Sequence, residues 1–140
     1  MENQIPRLIN HLQHIGIPVT NIVASEKFYN QLGFSNVMQS GFENEEGKGT
    51  CIMMKNKEII IELYQQPEQM LQEIRERKDG HIDHITFDVD DIDFAYQLLK
   101  AASFNICEPA SVSLPFWENG CRYFNIIGPD GERLEFNQIL

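Results

Sequence analysis

The sequence predicts an α+β fold of two tandem modules, each a strand, a helix and three strands (βαβββ), with a metal site built from both. Three observations predict it: an internal repeat, period-two patterning in its strands, and a histidine and a glutamate at matching points of each copy. The run Gln13-His14-Ile15-Gly16-Ile17-Pro18-Val19 through Phe34 aligns without a gap on Asp83-His84-Ile85-Thr86-Phe87-Asp88-Val89 through Phe104. The offset is 70, from His14 to His84, with identities at the two histidines, Ile15/Ile85, Val19/Val89, Ile22/Ile92 and Phe34/Phe104. Further on, Ile61-Glu62-Leu63-Tyr64-Gln65 answers Leu134-Glu135-Phe136-Asn137-Gln138 at an offset of 73, from Glu62 to Glu135. A repeated supersecondary unit is the signature of a fold built by duplication.

Each element follows from local chemistry. In the first strand His14, Gly16 and Pro18 share one face, and Ile15, Ile17 and Val19 the other. In its copy His84, Thr86 and Asp88 oppose Ile85, Phe87 and Val89, because strand side chains alternate. The apolar face is expected to meet a helix. The first helix is capped by Asn21 and carries Ile22, Phe28, Tyr29 and Leu32 inward, with Gly33 ending it. The second is capped by Asp91 and carries Ile92, Ala95, Leu98, Leu99 and Ala102, both by the spacing of an amphipathic helix.

Strands are expected over 35–40, 50–55 and 58–65, then 105–112, 121–127 and 132–138, with turns at Lys55-Asn56-Lys57 and Gly128-Pro129-Asp130-Gly131. Ile59, Ile61 and Leu63 oppose Glu62 and Tyr64; Leu134 and Phe136 oppose Glu135 and Asn137. All four candidate metal ligands, His14, Glu62, His84 and Glu135, therefore leave the sheet away from the helices. Between the halves a short amphipathic helix is expected from Pro67 to Lys78, with Met70, Leu71 and Ile74 inward and Gly80 after it. The domain thus runs over 11–140 as module one (11–66), a linker helix (67–80) and module two (81–140).

At 140 residues and 42% hydrophobic content the chain can bury a core, and halves of about 65 residues are expected to share one. There is no apolar run fit to cross a bilayer and no signal-peptide pattern, so a cytoplasmic location is expected. Cys51, Cys107 and Cys121 lack metal-type spacing, and Cys51 and Cys121 fall at near-equivalent strand positions where a core role is expected. A net charge of −10 argues against nucleic acid and anionic membranes as partners. The partner expected is a small molecule.

One strand histidine is an ordinary residue, and His11 and His81 are assigned that role. Glu62 alone is equally a solvated glutamate. Two histidines and two glutamates at repeat-equivalent, same-face positions are a different matter. Two imidazoles and two carboxylates balance a divalent ion and suit nickel, cobalt, manganese, zinc or iron(II). In an octahedron they leave two positions at which adjacent substrate oxygens can chelate, so that a carboxylate base can take a proton next to a carbonyl and leave a metal-stabilised enediolate.

The His14-Ile15-Gly16-Ile17 and His84-Ile85-Thr86-Phe87 openings, the Phe28-Tyr29 to Leu32-Gly33-Phe34 helix end, Ile61-Glu62-Leu63, and Gly128-Pro129-Asp130-Gly131 leading to Leu134-Glu135-Phe136 resemble the vicinal oxygen chelate superfamily. That family holds glyoxalase I, methylmalonyl-CoA epimerase, extradiol dioxygenases, fosfomycin-resistance enzymes and metal-free bleomycin-binding proteins. The resemblance covers 11–138. It implies two βαβββ modules whose strands form a metal-binding cup, a metal held inside it at His14, Glu62, His84 and Glu135, with Glu135 as the catalytic base, and a homodimer, since members commonly pair modules across two chains.

The full ligand set is closest to glyoxalase I. Yet Pro18 stands where that enzyme has an arginine four residues after the first histidine, Gly80 four before the second, and Gln66 in place of an asparagine. The resemblance therefore implies a lactoylglutathione lyase-like lyase or isomerase acting on a thiol adduct other than an ordinary glutathione adduct. An epimerase fits the His-Ile-Gly-Ile opening and Val89-Asp90-Asp91-Ile92, but not the Gly128-Pro129-Asp130-Gly131 turn. A dioxygenase would use only His14, His84 and Glu135 and is usually about twice as long. From a different class, a non-catalytic drug-binding dimer would use Phe42, Phe116 and Trp117 as an aromatic groove. Arg122 and Lys55 are candidates to meet an anionic substrate, with Arg122 the substrate-binding choice.

Overall fold

The computed structural model describes residues 4–31, 33–77, 82–127 and 133–140. The chain forms two compact units, residues 14–83 and residues 1–13 with 84–140. Each is built as strand, helix and three strands.

The first unit contains the second half of β1 (Ile9–Pro18), then α1 (Ile22–Gln31), β2 (Ser35–Asn44), β3 (Gly47–Asn56) and β4 (Ile59–Gln65). Its strands lie in the order β2-β3-β4-β1. The closing strand returns beside the opening one: β1 and β4 are parallel, with Ile15 opposite Ile61 and Gly16 opposite Glu62. The core is Val19, Ile22, Ile52, Met54, Ile61 and Leu63, with Ile15, Ile17, Tyr29 and Phe34 packed against it. Asn21 caps α1 through its Oδ1, which accepts from the Ala24 amide. Phe28 departs from expectation and is 55% exposed. It lies well off the Ile22–Tyr29 line at 100° per residue and meets Tyr29 edge to face at 5.1 Å. Phe42 stands on β2 opposite Gly49, where an added Cβ would meet the Phe42 ring and come within 2.6 Å of the Gln65 carbonyl oxygen.

The second unit repeats the plan with β5 (His84–Val89), α3 (Ile92–Ala101), β6 (Val112–Leu114), β7 (Cys121–Ile127) and β8 (Arg133–Ile139), in the order β5-β8-β7-β6. Here β5 and β8 are parallel, with Ile85 opposite Leu134 and Thr86 opposite Glu135, the repeat-equivalent register of the first unit. Val89, Ile92, Ala95, Tyr96, Leu99, Phe124, Ile126 and Phe136 form its core, joined by Leu8 from the amino-terminal segment. Asp91 caps α3 by accepting from the Phe94 amide. The shared core expected from chain length is replaced by one hydrophobic cluster per unit among the described residues. Ala102 lies exposed past the helix end, and Tyr96 takes the buried place instead.

A matched pair of contacts locks each helix to its own closing strand. The Gln65 side chain accepts from the Ile22 amide at 2.8 Å, and the Gln138 side chain accepts from the Ile92 amide at 3.0 Å. Each glutamine sits three residues after its glutamate and takes an orphan first-turn N–H that the helix cannot satisfy itself.

Two other expectations are corrected. The strand placed at 105–112 is reduced to Val112–Leu114 and one bridge between Ile106 and Ile126. Glu108 diverts the ladder: its carboxylate takes the backbone and side-chain N–H groups of Asn125, its carbonyl accepts from the Tyr96 hydroxyl, and Pro109 follows with no N–H to offer. The linker helix is shorter than Pro67–Lys78. It comprises a 3-10 turn at Glu68–Met70 and α2 (Leu71–Glu76), ending where Arg77 turns extended and folds its guanidinium back onto Glu73. Leu32, Lys78, Gly80, His81, the Gly128–Gly131 turn and Glu132 lie outside the described residues. No described helix is long and apolar enough to cross a membrane.

Candidate metal centre

Within each unit the parallel pairing of first and last strands sets a histidine diagonal to a glutamate. Gly16 is opposite Glu62, and His14 lies two residues earlier on the same face; Thr86 is opposite Glu135, and His84 lies two residues earlier. Ile61 and Leu63, like Leu134 and Phe136, point into the helix-side cores, so alternation aims the glutamates the other way. The separations match: His14 Nε2 to Glu62 Oε2 is 3.8 Å, and His84 Nε2 to Glu135 Oε1 is 3.9 Å.

All four side chains are buried. A buried carboxylate needs a compensating charge or hydrogen bonds, since desolvation alone costs several kcal/mol, order of magnitude. The donor chemistry of each pair fits a divalent ion. Metal–nitrogen and metal–oxygen bonds of about 2.0–2.2 Å sum to more than the 3.8 and 3.9 Å separations, so one ion can bond both members of a pair.

The two glutamates differ in their surroundings. Glu135 Oε2 accepts from the Thr86 hydroxyl at 3.1 Å and from the Asn137 amide at 3.3 Å. At the repeat-equivalent positions of the first unit stand Gly16, with no side chain, and Tyr64. Behind Asn137 lies buried Gln13, whose amide donates to Asn137 Oδ1 at 3.3 Å, the Asn137 carbonyl at 3.2 Å and Asp88 Oδ1 at 3.0 Å. Asn10 extends this line by donating to Asp88 and Asp90. Thr86 and Asn137 were legible as members of the ligand-bearing strand faces, yet residue type gave no cue to their role; a polar residue that prolongs a buried face was the signal.

The other candidates divide. Arg122 lies on the helix side of β7, with Phe124 and Ile126, and is not on the Glu135 face. Its guanidinium pairs with Asp93 at 2.7 Å and with Ser111, and so is already committed to α3. That contact, followed by the Ser111 hydrogen bond, holds the Asp93 carboxyl below its ordinary range. Lys55 is exposed at the end of β3. Phe42 is half-buried against Gly49, and Phe116 is buried. Trp117 takes a left-handed backbone, φ 66°, and its buried indole N–H has no hydrogen-bond partner among the described residues. His11 is 4.0 Å from Asp88 on an exposed side chain. Cys51 and Cys121 are buried.

An α+β chain of two βαβββ units, each with a buried His–Glu pair on its first and last strands, is the architecture of the vicinal oxygen chelate class. The chain belongs to the Glyoxalase/Bleomycin resistance protein/Dioxygenase superfamily, which it matches over residues 11–136. It is 29% identical over 144 residues to the uncharacterized protein YwbC of Bacillus subtilis (strain 168), covering 94% of this chain and 99% of that one. Among solved structures it resembles methylmalonyl-CoA epimerase from Mycobacterium tuberculosis, with a TM-score of 0.76, 17% identity, and coverage of 95% of this chain and 90% of that one. It also matches a mutant of 4-hydroxymandelate synthase from Streptomyces coelicolor, with a TM-score of 0.72 and 17% identity, over 93% of this chain and 49% of that one. At such identities the likeness to the solved structures is one of fold. The superfamily commonly uses a divalent metal and contains many enzymes.

Proposed function

We propose that the protein is a metal-dependent isomerase or lyase that moves a proton next to a carbonyl, with His14, Glu62, His84 and Glu135 sharing one divalent ion. The observation that carries this reading is the pair of buried His–Glu contacts in the same register of both units. When bound, the ion supplies Lewis acidity toward negative charge developing on a substrate oxygen. Glu135 is the base: with Oε2 held by Thr86 and Asn137, its Oε1 takes the proton and returns it. His14, His84 and Glu62 hold the ion. The unpartnered indole N–H of Trp117, on a backbone conformation that costs of order 1 kcal/mol, supports a place for Trp117 at the substrate.

The substrate favoured is a thiol adduct or thioester in which two oxygens can chelate. Pro18, half-buried at the end of β1, offers no bidentate grip on a carboxylate of the kind an arginine gives, which disfavours an ordinary glutathione adduct. The fold likeness to an acyl-CoA epimerase supports a second reading, epimerisation of an acyl thioester by the same proton transfer. Purified protein loaded in turn with nickel, cobalt, manganese, zinc or iron(II) is to be assayed against the methylglyoxal adducts of glutathione and bacillithiol and against methylmalonyl-CoA. Metal-dependent turnover of a non-glutathione thiol adduct is expected, with the glutathione adduct turned over poorly. Efficient turnover of the glutathione adduct overturns the substrate reading. Ligand binding with no metal-dependent turnover assigns the chain to the binding-protein class.

A further inference from the structure

Glu135 is held from behind, and the polarity of the groups that hold it is fixed by the network itself. Asp88 is acceptor-only when ionised, so the Gln13 amide nitrogen must be the group that faces it, at 3.0 Å. The same nitrogen donates to Asn137 Oδ1, which leaves Asn137 Nδ2 as the donor toward Glu135 Oε2. The Thr86 hydroxyl supplies the second donor to that oxygen. Gln13 and Asn137 are 4% and 3% exposed and Thr86 is fully buried, so water does not compete freely for these bonds. His84 Nε2 is 3.9 Å from the other oxygen, Oε1. Gly16 and Tyr64 at the matching positions of the first unit do not reproduce this arrangement of a hydroxyl and an amide.

We infer that Thr86 and Asn137, with Gln13 fixing the orientation of Asn137, are positioning residues that hold Glu135 by Oε2 and present Oε1 alone toward the ion and the substrate. This rests on the reading of Glu135 as a metal ligand. Outer hydrogen bonds to a ligating carboxylate are worth about 10- to 100-fold in metal affinity. The bonds run through Glu135, so their removal must matter only while the Glu135 carboxylate is there.

The test is calorimetric titration of the full chain with nickel, alongside thermal melting of the metal-free protein. Thr86→Val and Asn137→Ala are each expected to weaken nickel binding about 10- to 100-fold, and Thr86→Ser to restore it to within about threefold of the parent. In a Glu135→Ala background, Thr86→Val should weaken binding no further, because its contribution passes through the missing carboxylate. A Thr86→Val loss that persists undiminished in that background overturns the inference, as do unchanged affinities in both single variants when Glu135→Ala itself binds weakly. Should Thr86→Val melt too low to titrate, Asn137→Ala in the two backgrounds decides the same point. If Glu135→Ala binds nickel as well as the parent, the ligand reading of Glu135 fails and the inference fails with it. The two failures are thus told apart by one variant.

Discussion

At the scale of single residues, the proposed function separates holding an ion from moving a proton. In the proposed roles His84 is a ligand, whereas Glu135 is read as both ligand and base. His84→Ala should lose metal and activity together. Glu135→Gln keeps shape and a ligating oxygen but not the base, so it should retain most of its metal while losing about 10²- to 10⁴-fold in turnover; metal content and kcat measured on the same preparations check the split. All four candidate ligands were legible as a pattern, because duplication placed each at a repeat-equivalent point of an alternating strand, and the structure pairs them as two buried His–Glu contacts. Arg122, offered as a substrate contact, alternates with Phe124 and Ile126 onto the helix face, where it pairs with Asp93. That contact carries its own prediction. The folded-state pKa of Asp93 is depressed, first by the Arg122 hydrogen bond and then by Ser111. Its contribution to stability is therefore present above the unfolded carboxyl value of about 3.9 and is lost as pH falls through the lower folded value. Asp93→Asn should melt with a shallower acid dependence below about pH 4 than the parent, read from thermal midpoints across that range.

At the scale of elements, the caps on the helices were half legible. Asn21 and Asp91 are polar residues just before apolar stripes, and both cap as their types and positions predict. Gln65 and Gln138 are long-range caps, 43 and 46 residues from the amides they bond. Nothing local in a strand glutamine announces such a role, although their equivalence within the repeat was on view. Gln65→Ala and Gln138→Ala should each destabilise the protein by about 1 kcal/mol, the worth of one helix-capping or side-chain hydrogen bond. Urea midpoints at unchanged m-value check this, and a change under about 0.3 kcal/mol, below the range for a lost cap, would make the contacts incidental. The failed strand at 105–112 shows the converse. Ile106 and Val112 suit a strand, but Pro109 interrupts the run, the Glu108 carbonyl accepts from Tyr96, and the Glu108 carboxylate takes the Asn125 amide, and a ladder cannot form from groups bonded elsewhere.

At the scale of the whole molecule, the open question is which chain completes each ion site. A homodimer is expected, so mass in solution should be twice the 16.2 kDa of one chain, and a single-chain mass at micromolar concentration would contradict it. The ligands of one ion come either from one chain or from both chains of a dimer. Mixing His14→Ala with His84→Ala, unfolding and refolding them together, tests this directly. If each ion is held within one chain, every site in a mixed dimer carries one lesion, and neither metal binding nor activity returns. If ligands come from two chains, a mixed dimer has one doubly damaged and one intact site, and at equal input half of the dimers are mixed. Recovery of about a quarter of the parent's metal binding would then be seen, following binomial pairing of the two protomers under the symmetry of a two-fold dimer.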